Sequence, residues 1–395
     1  MNPILRTLML LPGMDELCSR CSDYSALRLL DAEVDVLFEK LISFENARLL
    51  KIAFDEKLQQ EDLDAFINDW DIEKNGAEKA LFVAYAVKKR PDLNFGAYNG
   101  PRLKGLLSYY RFQNLRLISH FSKIVGKLNE NGIFPLIFKG GAMKYLRPEL
   151  PRAMGDIDVL VDSIYSYNKS KTLVQNLGYD FVQAPHSIDV CLPKESSIGV
   201  LDIHRYFSFC DGANGVFVKR LFKRARLTNI FSCQVFLPTQ EDLFFVCLNN
   251  ITRNLMDRSC SQGVLLAFFD SYYLVHSKSD FNWESVIDNV FVSKSEVKSY
   301  IAFKFLDKII PGILPQQLWQ NKRFIKKVVE DVQMLQFYVK YVHEVKNICK
   351  RLKFKKAISS WQNFKYYVKN KGKHLFVKTV LKSKLIVSFF VHKKG

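Results

Sequence analysis

The spacing of hydrophobic residues changes twice along the chain and divides the sequence into three parts. Up to about residue 132, apolar residues recur every three or four positions, which is the spacing of amphipathic helices. Between residues 133 and 237, short apolar runs of strand length alternate with helical stretches. From residue 239 the helical spacing resumes. The pattern predicts an α+β protein in which a small mixed sheet is flanked by N-terminal and C-terminal helical regions.

The individual elements follow from this pattern and from the residues that begin and end them. We predict helices over residues 32–54, 78–89, 101–132, 142–146, 163–177, 242–254, 264–276, 283–290 and 295–309. We predict strands over residues 133–138, 156–161, 179–183, 188–192, 200–207 and 235–237. Gly132 and Gly178 suit helix ends, and Thr239 suits an N-cap with Asp242 three residues later.

Charge is distributed unevenly and separates the C-terminal tail from the rest of the chain. The net charge is +18, and residues 340–395 contain 16 Lys and Arg against one acid, so they carry +15 of it. We therefore predict a helical region over 1–132, an α/β core over 133–238, a second helical region over 239–339 and a basic amphipathic tail over 340–395. Polybasic segments of this kind bind anionic surfaces.

The sequence of the tail is compatible with three binding partners, one of which is the protein itself. Lysines flanking the apolar stretch at 385–391 fit an anionic membrane surface. Aromatic residues among the bases, such as Trp361 and Tyr366, fit single-stranded nucleic acid, which we favour less. The third reading is a basic helix that packs on the protein itself.

Composition excludes several classes of protein. The sequence has no run of about 20 apolar residues, the length that a membrane-spanning helix needs. Its first residues do not form a convincing signal peptide. Eight cysteines in 395 residues are typical of a reduced chain and too sparse for a disulfide scaffold. We predict a cytoplasmic protein, with peripheral attachment to the inner membrane face left open.

One stretch, residues 138–162, has the residues needed for phosphate chemistry. Gly140 and Gly141 end a predicted strand and open a predicted helix, where backbone N–H groups can approach a phosphate closely. Asp156 and Asp158 follow on the next predicted strand. Because alternate side chains of a strand share a face, the two carboxylates project together. Paired carboxylates can hold a divalent metal that neutralises the phosphates of a nucleotide.

The order of these elements resembles the polymerase-β-like nucleotidyltransferase superfamily. More narrowly, it resembles a bacterial family known only as "uncharacterised nucleotidyltransferase". The resemblance rests on Lys139-Gly140-Gly141, on Arg152 shortly before Asp156-Ile157-Asp158, and on Asp202-Ile203-His204 farther along. It continues to Asp270 and spans about residues 35–310. Cys247 lies in a segment where members of the family often have a histidine.

The resemblance implies a fold, an activity and a set of residues. It implies a polymerase-β-like core and transfer of a nucleoside monophosphate from a nucleoside triphosphate, such as ATP, by a two-metal mechanism using Mg²⁺ or Mn²⁺. The acceptor is unidentified, with a glycan, a lipid-linked group or a peptide suggested. The implied metal-binding and catalytic residues are Asp156, Asp158 and Asp202, and the implied nucleotide-binding residues are Lys139, Gly140, Gly141 and Arg152.

Less specific interpretations stand beside these. Asp202 and His204 share a strand face, so they can equally form a structural hydrogen bond, and we assign His204 no catalytic role. The alternative function is a catalytically silent protein that binds a nucleotide or a partner and docks to membrane or nucleic acid through its tail.

Overall fold

The computed structural model describes most of the chain between residues 44 and 332. Residues 56, 71–76, 151, 184–186, 192–198, 208–213, 257–261 and 277–279 are outside the description, and between 27 and 39 it includes only residues 27, 28, 30–32, 34, 35, 38 and 39. The described residues form two compact units. The larger unit comprises residues 39–293 and 306–313 and contains the whole sheet.

Helices precede the strands in the sequence, alternate with them and follow them. They are α1 (Phe44–Phe54), α2 (Gln60–Asp69), α3 (Ala77–Lys89), α4 (Gly96–Glu130), α5 (Lys139–Leu146), α6 (Ile164–Asn176), α7 (Asn214–Arg224), α8 (Gln240–Met256), α9 (Gln262–His276), α10 (Trp283–Ser293), α11 (Glu296–Ile309) and α12 (Gln316–Gln320). No helix among the described residues is both long enough and apolar enough to cross a membrane.

Seven strands form one mixed sheet. They are β1 (Leu136–Phe138), β2 (Asp156–Leu160), β3 (Asp180–Gln183), β4 (Ser187–Cys191), β5 (Val200–His204), β6 (Arg226–Ile230) and β7 (Cys233–Leu237). Their spatial order is β3-β4-β5-β2-β1-β7-β6. The pairs β2–β5 and β1–β7 are parallel, and the other neighbours are antiparallel.

The two faces of the central strands differ sharply in polarity. Ile157 and Val159 of β2 are fully buried, and so are Ile203 of β5 and Ile188 of β4 on the same face. Asp158 projects from the opposite face of β2. Since side chains alternate between faces, the apolar residues anchor the strands while the polar ones line a single surface.

Capping residues appear at several helix boundaries, and those at Gly132 and Thr239 were predicted. Gly132 follows α4 with a φ of +74°, and the N–H of Ile133 donates to the carbonyl of Leu128, which closes the helix end. Ser163 caps α6 by accepting from the N–H of Ser166 at 3.1 Å. Thr239 accepts from the N–H of Asp242 at 3.2 Å at the start of α8.

A buried asparagine in the long helix α4 fixes the approach to β2. The Asn114 side-chain amide donates to the carbonyl of Arg152 at 2.7 Å and accepts from the N–H of Met154 at 3.1 Å. These bonds satisfy two backbone groups of the segment that leads into Asp156. Helix α4 thereby sets where β2 begins.

The second unit contains residues 294–305 and the described residues before 39 and from 314 onwards. Its core is aromatic: Phe303 and Phe324 are fully buried and their ring centroids lie 5.8 Å apart. The Tyr300 hydroxyl donates to Oδ1 of Asp31 at 2.9 Å.

The structure confirms the predicted α+β class and the mixed sheet between helical regions. Four of these elements were not predicted: α2, α7, α12 and β6. The edge strand β6 buries only Ile230, so its sequence lacks the alternation that identifies a half-buried strand. The predicted domain boundaries stay a prediction, and the basic tail at 340–395 lies outside the described residues.

Replacing Asn114 with alanine should destabilise the larger unit. The substitution leaves the Arg152 carbonyl and the Met154 N–H buried without a partner, which costs about 1–3 kcal/mol. Urea denaturation would measure the loss. Ser108→Ala, on an exposed position of the same helix, should change the free energy of unfolding by less than about 0.5 kcal/mol. Equal effects of the two substitutions would contradict an anchoring role for Asn114.

Candidate active site

The parallel pairing of β2 with β5 brings the predicted carboxylates together. Asp158 lies directly opposite Asp202 in the register. Directly opposed residues of adjacent strands point to the same side of the sheet with their Cβ atoms about 5 Å apart. Asp158 is only 1% exposed, whereas Asp202 is partly exposed. Two acids 44 positions apart in the sequence therefore lie side by side on one face of the sheet.

His204 joins these two carboxylates through one nitrogen atom. Its Nε2 lies 3.0 Å from Oδ1 of Asp158 and 2.8 Å from Oδ2 of Asp202. The imidazole is buried and packs edge-on against the ring of Phe138 at 5.2 Å between centroids. Burial lowers the pKa of His204, but hydrogen bonds to the two carboxylates outweigh it, so the pKa is raised overall.

Lys139 provides a second positive group at Asp158. It begins α5 with a φ of +49°, in the left-handed region that residues other than glycine rarely adopt. Its ammonium forms an ion pair with Oδ1 of Asp158. Burial acts to raise the pKa of Asp158, but Lys139 and His204 outweigh burial and hold it below its usual range. Asp158 is therefore charged at neutral pH.

Asp156 occupies a different environment at the beginning of β2. The residue is exposed and lies on the same strand face as Asp158, outside the group bridged by His204. The negative charge of Asp158, followed by desolvation, raises the pKa of Asp156 to about 6. Asp158 is thus charged at neutral pH, while Asp156, with its pKa raised to about 6, gains or loses its proton close to that pH.

The two glycines in the first turn of α5 have close neighbours that explain why glycine suits both positions. A Cβ atom on Gly140 would overlap Nη1 of Arg152 and lie 3.0 Å from its Cζ. A Cβ atom on Gly141 would lie 2.8 Å from Cδ1 of Ile137 and 3.0 Å from Cγ2 of Ile157. Packing therefore favours glycine at both positions, because a Cβ atom would force these side chains to shift. Their predicted contact with phosphate stays a prediction.

Arg152 is buried and paired with an acid from a distant helix. Its guanidinium makes three hydrogen bonds of 2.9–3.1 Å to the carboxylate of Asp270 on α9. Burial lowers the pKa of Arg152, but Asp270 more than compensates, so the guanidinium stays charged. Asp156 also contributes to this shift. The structure places Arg152 beside the carboxylates and Gly140, with its charge already matched by Asp270.

Sequence reasoning missed Asp189 on β4. It lies opposite Asp202 in the antiparallel register, so Asp158, Asp202 and Asp189 form a row across three strands. The Ser187 hydroxyl donates to Oδ1 of Asp189 at 3.1 Å. The alternation of polar Ser187 and Asp189 with buried Ile188 was the available signal, because it marks the same polar face.

Three of these side chains have the arrangement of a metal site. One ligand atom each from Asp158, Asp202 and His204 can be chosen so that all lie within 4.8 Å of one another. Oδ1 of Asp202 is buried and has no hydrogen-bond partner among the described residues. A buried carboxylate oxygen in this state fits a bound cation. The predicted trio was Asp156, Asp158 and Asp202, whereas this group contains His204 in place of Asp156.

Comparison with known families provides the identification. Residues 82–309, more than half of the chain, match a family described as "Uncharacterised nucleotidyltransferase". The chain belongs to this family. The predicted enzyme class is therefore confirmed as nucleotidyltransferase, and the nucleotidyltransferase region covers α4, α5, the whole sheet and helices up to α11.

Two solved structures are similar to this nucleotidyltransferase. The solution structure of the antibiotic-resistance factor ANT(2'')-Ia has 13% sequence identity and a TM-score of 0.34, covering 47% of this chain and 94% of that chain. The crystal structure of an antigenic nucleotidyltransferase-like protein from Paracoccidioides brasiliensis has 14% identity and a TM-score of 0.33, covering 49% and 96%. No curated protein matches the chain.

Gly140→Ala should destabilise the nucleotidyltransferase. The added methyl group displaces the Arg152 guanidinium from its buried position, and overpacking of this kind costs about 1–3 kcal/mol. Chemical denaturation would show the loss. Gly155→Ala is the matched control, because a Cβ atom there meets nothing within 4 Å. A stable Gly140→Ala protein with impaired nucleotide binding would instead assign the glycine to phosphate contact.

The pKa of Asp156 should depend on its neighbour. Asp158 is the largest cause of its rise to about 6, so Asp158→Asn should move the pKa of Asp156 down towards its ordinary value of about 3.9. The carboxyl ¹³C shift of Asp156, followed by NMR between pH 3 and 8 in metal-free protein, measures this directly. An unchanged midpoint would mean that desolvation, and not the charge of Asp158, sets the pKa.

Proposed function

We propose that this protein transfers a nucleoside monophosphate from a nucleoside triphosphate to an acceptor hydroxyl or phosphate and releases pyrophosphate. The observation that supports this best is the register that sets Asp158 opposite Asp202, directly beside the start of α5. The arrangement combines a carboxylate pair for a divalent metal with a helix N-terminus for phosphate, which are the two requirements of nucleotidyl transfer.

The triphosphate would bind where α5 begins. The first N–H groups of a helix have no partner within it and carry partial positive charge, which favours an anion. Lys139 lies at this end of α5, and its ammonium already neutralises Asp158. In our proposal Lys139 leaves Asp158 when the metal binds and then contacts a phosphate of the substrate. Arg152, whose guanidinium lies against Gly140, would add a positive charge close to the bound phosphates.

The metal would be held by the carboxylates, with Asp156 and Asp158 on one ion and Asp158 with Asp202 on a second. When bound, the metal neutralises the phosphate charge and aligns the groups for in-line displacement. Mg²⁺ and Mn²⁺ are the ions that we propose for this reaction. The low pKa of Asp158 suits it to the central place in this arrangement, because the carboxylate is charged at neutral pH.

Asp202 would act as the base that accepts the proton of the acceptor group. In the transfer step the acceptor oxygen bonds to the α-phosphorus, the bond from that phosphorus to the bridging oxygen breaks, and pyrophosphate leaves with the electron pair. The acceptor proton needs a base, and the carboxylate of Asp202 is partly exposed. The acceptor that we propose is a glycan, a lipid-linked group or a peptide.

Asp158→Asn should abolish metal-dependent binding of nucleoside triphosphates, because it removes the charge shared by both proposed ions. Thermal unfolding and calorimetric titration with a triphosphate panel, with and without Mg²⁺ or Mn²⁺, would measure it. At a hundredfold excess over its dissociation constant, a ligand stabilises wild type by about 2.7 kcal/mol. Asp180→Asn, at an exposed position of the edge strand β3, should keep wild-type binding.

Two results would count against the proposal. Binding of metal-nucleotide by Asp158→Asn as tight as that of wild type would remove the carboxylates from the site. Tight binding by wild type without release of pyrophosphate, across a panel of glycan, lipid-linked and peptide acceptors, would favour the silent nucleotide-binding alternative.

A further inference from the structure

The histidine between the two carboxylates has a geometry that the proposed function does not use. His204 is 94% buried, and it directs one nitrogen towards two acidic oxygens at the same time. A structural histidine needs only one such partner for each N–H group. The approach of two acids to a single nitrogen suggests that the three side chains share a bound cation.

The distances around Nε2 match those between neighbouring ligands of one ion. Metal–ligand bonds to nitrogen and to carboxylate oxygen are about 2.1 Å long, so two ligands at right angles lie about 3.0 Å apart. The observed distances are 3.0 Å from Nε2 to Oδ1 of Asp158 and 2.8 Å from Nε2 to Oδ2 of Asp202. Both separations from Nε2 are therefore compatible with coordination to one ion.

The chemistry of the donor set distinguishes among ions. Mg²⁺ binds oxygen ligands almost exclusively, whereas imidazole nitrogen favours first-row transition metals. A set of two carboxylates and one imidazole therefore selects against Mg²⁺. Burial of His204 adds to this, because few waters can enter to complete the hydrated shell that Mg²⁺ keeps.

We infer that His204 is a nitrogen ligand in this metal site, which therefore binds a divalent transition-metal ion such as Mn²⁺ in preference to Mg²⁺. The inference rests on the proposed function for the presence of a metal and adds its coordination and class. On binding, the Nε2 proton passes to solvent and the nitrogen lone pair goes to the ion. Lys139, which shares Oδ1 of Asp158, gives up that oxygen at the same time.

Pulsed electron paramagnetic resonance of Mn²⁺ bound to the nucleotide-free protein tests the coordination. We expect modulation from a directly bound ¹⁴N nucleus, replaced by ¹⁵N modulation when the protein carries ¹⁵N-histidine. His204→Gln should remove the nitrogen signal, while His120→Gln on α4 should leave it intact. The labelled wild type needs no substitution, so the test holds even if His204→Gln fails to fold.

Competition titrations provide the second readout. Wild type should bind Mn²⁺ about tenfold or more tightly than Mg²⁺, and His204→Gln should bring the two affinities close together. Mn²⁺ bound without nitrogen modulation, or an equal Mn²⁺ and Mg²⁺ affinity in wild type, would overturn the inference and leave the proposed transfer reaction untouched. Absence of Mn²⁺ binding without nucleotide would overturn it as well, while the triphosphate titrations would still report on the proposed function.

Discussion

A carboxylate that is buried at the centre of a sheet must be balanced by positive groups, and this requirement organises the site around Asp158. Only 1% of the residue is exposed, yet it stays charged, because Lys139 and His204 both contact its Oδ1 atom. Isolated burial of such a charge would cost several kcal/mol. The start of α5 and the end of β5 are therefore held at the same point of β2 by electrostatics as well as by strand pairing.

A second buried ion pair ties the helical part of the larger unit to this centre. Arg152 lies in the segment before β2, and Asp270 lies on α9, 118 positions later. Removing either partner would leave an unmatched charge, the situation in which buried pairs are most costly. The two ion pairs together stabilise the charged groups on the polar face of the sheet. The opposite face carries apolar residues such as Ile157 and Val159.

The sequence allowed the fold class and the centre of the site to be predicted, because both depend on local pattern. Alternation along β2 placed Asp156 and Asp158 on one face. The change in the spacing of hydrophobic residues after about residue 132 showed where the sheet begins. Partnerships across the fold could not be predicted in this way. Neither the pairing of Arg152 with Asp270 nor the row that includes Asp189 follows from spacing, since each depends on register and helix packing. The sequence shows that His204 shares a strand face with Asp202. Its contact with Asp158 as well could not be predicted, because that contact depends on the parallel alignment of β5 with β2.

The closeness of Gly140 to Arg152 has an evolutionary consequence. The guanidinium occupies the space that a side chain at position 140 would need, so the two positions are not free to vary separately. In homologous proteins, a residue larger than glycine at the position of Gly140 should accompany a shorter residue at the position of Arg152. Loss of that arginine should in turn be accompanied by loss of the acid at the position of Asp270, because a buried carboxylate without its partner is strongly disfavoured. Three positions spread over 131 residues of sequence would then change as one unit.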